Sequence, residues 1–379
     1  MKLFGSSSEA AESVQKASHT LSRWFPTPGL ILPRAAGIDI SDSSVRWIVL
    51  SPNGDTYRVE EYGEEPVPPG AVVNGSVKNV EVLGQTLRVA KKHLGGIDCA
   101  HSALPEEGAY VFEMKVPEEA SRKEVMGMIE FEFEGRVPIT PNAAVFDFDV
   151  IPQQGSGKQI GVVVFPRELA ESYVAAFDVA GINLLSLEIE ARSIARAVSK
   201  NTPDEPITLL VDFGRARTGF AVLKHGVPIF TSTVEVGGDS INRALKEKLS
   251  LSEADAIIFK NAQGLQPAAG EAKSPGLEVV TTAASVLADE IARHYHYWDT
   301  RRNEQGERVT PVGQVILVGG NSNLKGLPDY IAGRVQAETI LGDVWQHVCS
   351  FDQYIPPIDK RTSLQYATAV GLALRSHPL

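Results

Sequence analysis

Asp39 and Asp212 stand 173 residues apart in a chain of 379, and each closes an apolar run just before a short turn of small or charged residues. Laid over one another without a gap, IDISDSSVRWIVL (38–50) and VDFGRARTGFAVL (211–223) put Asp39 on Asp212, Ser41 on Gly214, Trp47 on Phe220 and Val49 on Val222. Each copy predicts a buried strand, a tight turn and a second strand that pairs back. A turn of small residues aims several backbone N–H groups into one concavity, which suits an anion, and small residues let a phosphate approach the backbone. Two such turns facing one another would hold a polyphosphate from both sides. A carboxylate at each strand end would then orient Mg2+ through its waters, because this cation keeps most of its hydration shell. A third element, VILVGGNSNLKGL (315–327), reads as a strand running into a Gly-rich turn, where Gly319 and Gly320 leave room for a flat base or ribose.

Those residues need elements to position them. From Gly37 onward the text predicts strands at AGIDI, SVRWIVLS and DTYRVEEYG, with PNGD turning the second into the third. Helices are expected at 79–94, 121–134, 167–180 and over ARSIARAVSK. Strands are expected at CAHSALP, AYVFEMKVP, AVFDFDVI, QIGVVVFP and INLLSLEIE. The pattern then restarts with PITLLVDFG, ARTGFAVLKHG and VPIFTSTVEVG. Helices follow at 238–249, 252–262 and 278–301, then the strand GQVILVGG and helices near 326–336 and 363–375. A strand–turn–strand unit repeated in this way implies two lobes of similar build facing across a cleft. Residues 1–34 stand apart as a Ser-rich leader in which Ala10, Val14, Ala17, Leu21 and Trp24 have helical spacing.

Composition removes several function classes. The chain carries 36 Lys and Arg against 47 Asp and Glu, a net charge of -11, which does not suit a nucleic-acid binder. Cys99 and Cys349 have no His or second Cys at metal-ligand spacing and fit a reducing compartment. No apolar run approaches the ~18 residues of a spanning helix, and the opening MKLFGSSSEAAES has no signal-peptide core. GSGK at 155–158 is not a phosphate loop, since Pro152 and Gln159 occupy the positions that need Gly and Ser or Thr. His294 and His296 point to different faces of a helix. Glu130, Glu132 and Glu134 read as a solvated helix end, and Asp147 with Asp149 as the polar face of a strand.

The three motifs together resemble the phosphate-one, phosphate-two and adenosine motifs of the actin-like ATPase superfamily. Over about residues 36–375 the chain is similar to the PilM family, the cytoplasmic actin-like proteins of type IV pilus assembly and relatives of FtsA. LEIEARSIARAV (187–198) and VGGDSINRALKEKLSLSEADAIIFK (236–260) add to that resemblance, as does the helix ADEIARHYHYW. It implies an α/β, two-lobed actin-like (ribonuclease H-like) fold with duplicated sheets and an inserted subdomain 1C. The expected division is a leader at 1–34, a first lobe from 35–75, 166–205 and 340–379, subdomain 1C at 76–165, and a second lobe at 206–339.

The resemblance also implies ATP and Mg2+ as ligands. Asp39 and Asp212 would hold the hydrated ion, and Glu190 would sit near the attacking water as the catalytic group. Ser41, Ser43, Ser44, Arg46, Gly214 and Thr218 would line the phosphates. Gly237, Gly238, Gly319, Gly320 and Asn321 would surround the nucleoside, with Lys260 flanking the adenine. Three positions depart from the family pattern. Ser41 followed by Asp42 replaces a Gly-containing turn, Arg46 replaces Lys, and Ile257 replaces an acid, removing a hydrogen bond worth ~1 kcal/mol. Together they lead us to expect an ATP-binding protein with at most weak ATPase activity.

The implied partner is the cytoplasmic tail of a PilN-like inner-membrane protein, received between subdomain 1C and the first lobe. Self-association is also open. The implied location is the inner face of the cytoplasmic membrane, reached through partners. An FtsA-like division tether is the alternative; such proteins end in a basic amphipathic helix, whereas this sequence ends GLALRSHPL. A small-molecule kinase would need a catalytic Asp between the two hairpin units, and none is recognisable.

Overall fold

The computed structural model describes residues 33–152, 157–200, 202, 204–265, 274–302, 306 and 308–377. The expected leader helix, the first half of the GSGK tip and the middle of the 264–276 loop lie outside them.

The described residues open on three antiparallel strands, β1 (Ala35–Ile40), β2 (Ser44–Asn53) and β3 (Thr56–Pro66). All six residues of β1 are buried, as a central strand covered on both faces requires. A minimal hairpin of β4 (Val72–Val73) and β5 (Ser76–Val77) precedes α1 (Val80–Lys91), whose N-cap Asn79 accepts from the Val82 N–H at 3.1 Å. β6 (Cys99–Leu104) then pairs parallel to β1, and Ser102 Oγ donates to the Ile38 carbonyl at 2.7 Å.

A small unit follows: β7 (Tyr110–Val116), α2 (Arg122–Arg136), β8 (Ala144–Ile151) and β9 (Lys158–Pro166), with β9 in the middle of its sheet. A capping box between Ser121 and Glu124 starts α2, and Val125, Ile129 and Phe133 form its buried stripe. The chain returns through α3 (Arg167–Ala180) to β10 (Asn183–Ile189), parallel to β6, and into α4 (Glu190–Val198).

The second lobe repeats the plan with β11 (Ile207–Phe213), β12 (Thr218–Lys224) and β13 (Val227–Val234). Three helices come next, α5 (Gly238–Leu249), α6 (Glu253–Gln263) and α7 (Pro275–Thr300). β14 (Val312–Val318), α8 (Leu327–Val335) and β15 (Glu338–Leu341) complete it. The first sheet runs β3-β2-β1-β6-β10 and the second β13-β12-β11-β14-β15, the same order twice. α9 (Lys360–Ser363) and α10 (Ala367–Leu374) close the chain on the first lobe. Every residue of α10 is buried. A Cβ on its Gly371 would lie 1.8 Å from the Ser193 carbonyl oxygen, so glycine is what lets α10 lie against α4.

Two expectations need correction. The inserted unit does not start at 76: β6 belongs to the first sheet, α1 packs into the core of the first lobe, and the separate sheet is built from 110–166. The physical reason is that α1 is the crossover bringing the chain back parallel to β1, a pairing that sequence adjacency hides. β15 was not anticipated either, because its four residues are half-exposed and carry no alternation.

Candidate functional site

The duplicated strands carry their aspartates in the same register. Asp39 lies opposite Arg46 across β1–β2, and Asp212 opposite Gly219 across β11–β12. Both sit at the C-terminal ends of their strands, where open α/β sheets leave a crevice. Between the lobes that crevice is a cavity of about 920 Å³ lined by Asp39, Asp212, Glu106, Glu190, Arg217 and Lys260 among others.

The floor of the cavity is acidic. Loss of water pushes Asp39 up to about 6, against the pull of the Arg46 guanidinium. Asp212 rises to about 7, first from burial and then from the negative charges of Glu106 and Asp39. Glu190 is held well above the carboxylate range by burial and by Glu106 beside it. Glu106 is itself raised by burial, and its Oε1 accepts the Ala191 N–H at 2.5 Å, giving α4 an N-terminal acceptor from another element. These four carboxyl groups line one cavity, and burial together with their mutual repulsion favours the protonated form.

Both turns close on the same backbone bond, from the Ser41 N–H to the Ser44 carbonyl at 2.9 Å and from the Gly214 N–H to the Arg217 carbonyl at 3.0 Å, and they differ in the side chains around it. Ser41 Oγ donates to the Ser44 carbonyl at 3.0 Å and accepts the Ser44 N–H at 3.1 Å, so a side chain pins the first turn. Asp42 points away from the cavity floor: it accepts the N–H groups of Asn74 at 3.0 Å and Gly75 at 2.9 Å and pairs with Arg217. In the second turn the Gly214 N–H bonds the Arg217 carbonyl at 3.0 Å, and the Gly214 carbonyl accepts from Asn321 Nδ2 at 2.9 Å. Asn321 Oδ1 in turn accepts from Lys260 at 2.8 Å. Gly319 has φ 86°, and a Cβ there would fall 2.3 Å from Asp212 Oδ1. Only glycine gives this backbone while leaving the aspartate in place.

A family profile described as type IV pilus assembly protein PilM matches residues 37–377. The chain belongs to the PilM family. Among solved structures, the PilM-PilN type IV pilus biogenesis complex is similar with a TM-score of 0.75 at 20% identity, covering 92% of this chain and 100% of that one. The ethanolamine utilization protein EutJ from Carboxydothermus hydrogenoformans follows with a TM-score of 0.53 at 16% identity, covering 90% and 89%. The fold is thus the actin-like, two-lobed one that the duplicated hairpins implied. The family match decides for pilus assembly over a division tether.

Most of the residues expected from the PilM resemblance converge. Asp39, Ser41, Ser43, Arg46, Glu190, Asp212, Gly214, Lys260, Gly319, Gly320 and Asn321 all line the cavity. Four others stand outside it. Ser44 is buried, and Thr218 is buried with its hydroxyl donated to the Val236 carbonyl at 2.5 Å, because both lie inside paired strands. Gly237 packs on the backbone of residues 215–217, and Gly238 lies under the Asn321 side chain, so these glycines serve chain packing. Arg46 is tied to Glu64 at 2.8 Å, and Ile257 reaches the cavity wall.

Sequence reasoning missed Glu106, Glu107 and Arg217. The signal was present: PEEG follows β6 directly, and the end of a parallel strand beside β1 must face the crevice. Arg217 was hidden because its role depends on residues in the other lobe.

Proposed function

We propose that this PilM-family chain is an ATP·Mg-binding adaptor of type IV pilus assembly whose cleft controls a docking groove for a short cytoplasmic tail. The observation that carries the reading is the pair of aspartates at mirrored strand ends, facing one cavity of about 920 Å³. That size lies within the range of ligand sites. Among the described residues no three His, Cys, Asp or Glu side chains group closely enough to enclose a bare metal ion. Two separated carboxylates fit a hydrated cation instead, with Asp39 and Asp212 accepting from its waters. Bound there, the ion would supply positive charge to the phosphates. The chain's own residues would bind and orient: Lys260 and Asn321 beside the nucleoside, Gly214 and Ser43 beside the phosphates. Glu190, its proton shared with Glu106, would be the group nearest any attacking water, and turnover would be slow.

The partner is, on this reading, the cytoplasmic tail of a PilN-like inner-membrane protein. No helix among the described residues is long and apolar enough to cross a membrane, so attachment at the inner face of the cytoplasmic membrane would come through that partner. A second cavity of about 510 Å³, lined by Glu130, Pro141, Asn142, Val145, Phe146 and Arg167, lies where the small unit meets the start of α3. We assign the tail to this groove and the small unit to subdomain 1C.

The small unit is well placed to sense the cleft. It joins the first lobe through α3, where Arg167 donates to the Asn142 and Ala144 carbonyls at 3.2 and 2.7 Å. It touches the second lobe through Lys224, which donates to Gln159 Oε1 at 2.6 Å, and through Gly161, where a Cβ would lie 2.7 Å from the Pro228 carbonyl oxygen. Rotation of one lobe on the other therefore has to change the groove. Calorimetry with ATP·Mg, then with a PilN-like tail peptide with and without nucleotide, tests the reading. The expected result is nucleotide binding that alters peptide affinity; a peptide affinity indifferent to bound nucleotide would reject the control.

A further inference from the structure

Arg217 is the side chain that ties the two lobes together across the mouth of the cavity. It leaves the second-lobe turn, and its two terminal nitrogens pair with Asp42 on the first-lobe turn and with Glu107 after β6. Its neighbour Arg215 behaves differently: it pairs with Asp239 of its own lobe and is 68% exposed, against 21% for Arg217. The guanidinium fork of Arg217 is therefore a partly desolvated cation inside a ligand cavity, held by two carboxylates that carry less charge than a polyphosphate.

We propose that Arg217 is an exchangeable clamp and a determinant of phosphate-chain length, holding Asp42 and Glu107 in the nucleotide-free protein and passing to the terminal phosphates when a nucleotide enters. The inference rests on the nucleotide reading of the cleft. The geometry makes the exchange cheap. Asp42 keeps two charge-assisted hydrogen bonds from the Asn74 and Gly75 N–H groups after the arginine leaves. Glu107 has 23% of its side chain open to water, so it can be rehydrated in place. The fork that spans two carboxylates also matches two oxygens of one phosphate, which a lysine ammonium does not.

The clamp also reaches toward the groove. Gly75, held by Asp42, accepts from Tyr173 Oη at 2.8 Å, and Tyr173 lies on α3, whose first residue Arg167 forms part of the groove wall. Release of Arg217 thus unloads one end of a continuous set of contacts between the two cavities.

The test is calorimetry with ATP·Mg and ADP·Mg on the full chain, for wild type, Glu107→Gln, Arg217→Gln and the double variant. Removing a competing carboxylate should tighten ATP·Mg about tenfold, the scale of one charged hydrogen bond. In the Arg217→Gln background the same change should gain nothing, and Arg217→Gln alone should weaken ATP more than ADP. A Glu107→Gln gain that is equal with and without Arg217 would be ordinary charge repulsion and would overturn the clamp, as would no gain. Should Arg217→Gln melt early, Arg217→Lys keeps the charge without the fork and takes its place. Wild type that binds nucleotide without this coupling overturns the clamp alone. Failure of every form to bind either nucleotide overturns the nucleotide reading as well.

Discussion

The two lobes share one strand order and opposite electrical characters. Matched position for position, the turn Ser41-Asp42-Ser43-Ser44 corresponds to Gly214-Arg215-Ala216-Arg217, and by strand register Leu104-Pro105-Glu106 at the end of β6 corresponds to Gly319-Gly320-Asn321 after β14. The first lobe brings Asp39, Asp42, Glu106, Glu107 and Glu190 to the cleft against Arg46 alone. The second brings Arg215, Arg217 and Lys260 along with Asp212 and Asp239. The backbone turn is thus the same in both lobes while the side chains differ, one wall mainly acidic and the other carrying three cations. On the proposed nucleotide reading Asp42 would be kept from the phosphates by its partners, the Asn74 and Gly75 N–H groups and an arginine of the opposite lobe.

The comparison can be broken most severely at the aspartates. Asp212→Asn should abolish Mg-dependent nucleotide binding, measured by calorimetry with and without EDTA, while leaving the melting temperature unchanged or higher. The melting temperature should not fall because the folded protein bears the cost of burying that carboxylate. A melting temperature that drops with affinity intact would place Asp212 in the scaffold instead.

Next in size is the asymmetry of the turns after the fourth strands. Gly319→Ala should cost about 1–3 kcal/mol in denaturant unfolding, because it combines a positive φ with a clash on Asp212. Pro105→Ala in the turn after β6, where φ is -70°, should cost less. Equal losses would mean the two turns are mechanically alike.

A further effect is pH-dependent. The carboxyls of Asp39 and Asp212 bind protons more tightly in the folded chain than in the unfolded one, at about 6 and about 7 against 3.8. Stability of the nucleotide-free protein is therefore greatest below about 4 in this respect and declines as pH rises through 6 and 7. Bound ATP·Mg should flatten that slope in a thermal-shift series. A slope unaltered by nucleotide would show that the cation does not meet these groups.

The smallest change sharpens the second-lobe wall. Ile257→Glu adds an acceptor where the cavity has an apolar, 39% exposed side chain. It should improve nucleotide affinity roughly fivefold, the size of one ordinary hydrogen bond. No gain would mean that the base lies elsewhere.

Much of this was legible from the residues. Asp39 and Asp212 could be paired because a strand–turn–strand unit leaves a local pattern, and IDISDSSVRW and VDFGRARTGF align without a gap. Long elements with clear periodicity, such as α3 and α5, fell where they were expected. Ser44 and Thr218 were read as phosphate contacts because hydroxyls near a nest look alike in a sequence; each begins a paired strand and is buried there. The 76–104 segment was misassigned because a parallel strand's partner is set by a crossover, not by its neighbours in the chain.

The sequence by itself determined the duplicated hairpins, their aspartates and the glycine turn after β14, and hence the superfamily resemblance, while the PilM resemblance rested on the pattern of the whole chain. The first three are local patterns in which a few adjacent residues dictate one backbone shape. Only the tertiary structure decided that Glu106 and Glu107 face the cavity, that Asp42 turns to residues 74–75, and that Arg217 crosses to the other lobe. Each of those depends on electrostatic partners 32 to 175 residues away in the chain. Charge alone says that such groups will seek opposite charge, and folding chooses which one they reach.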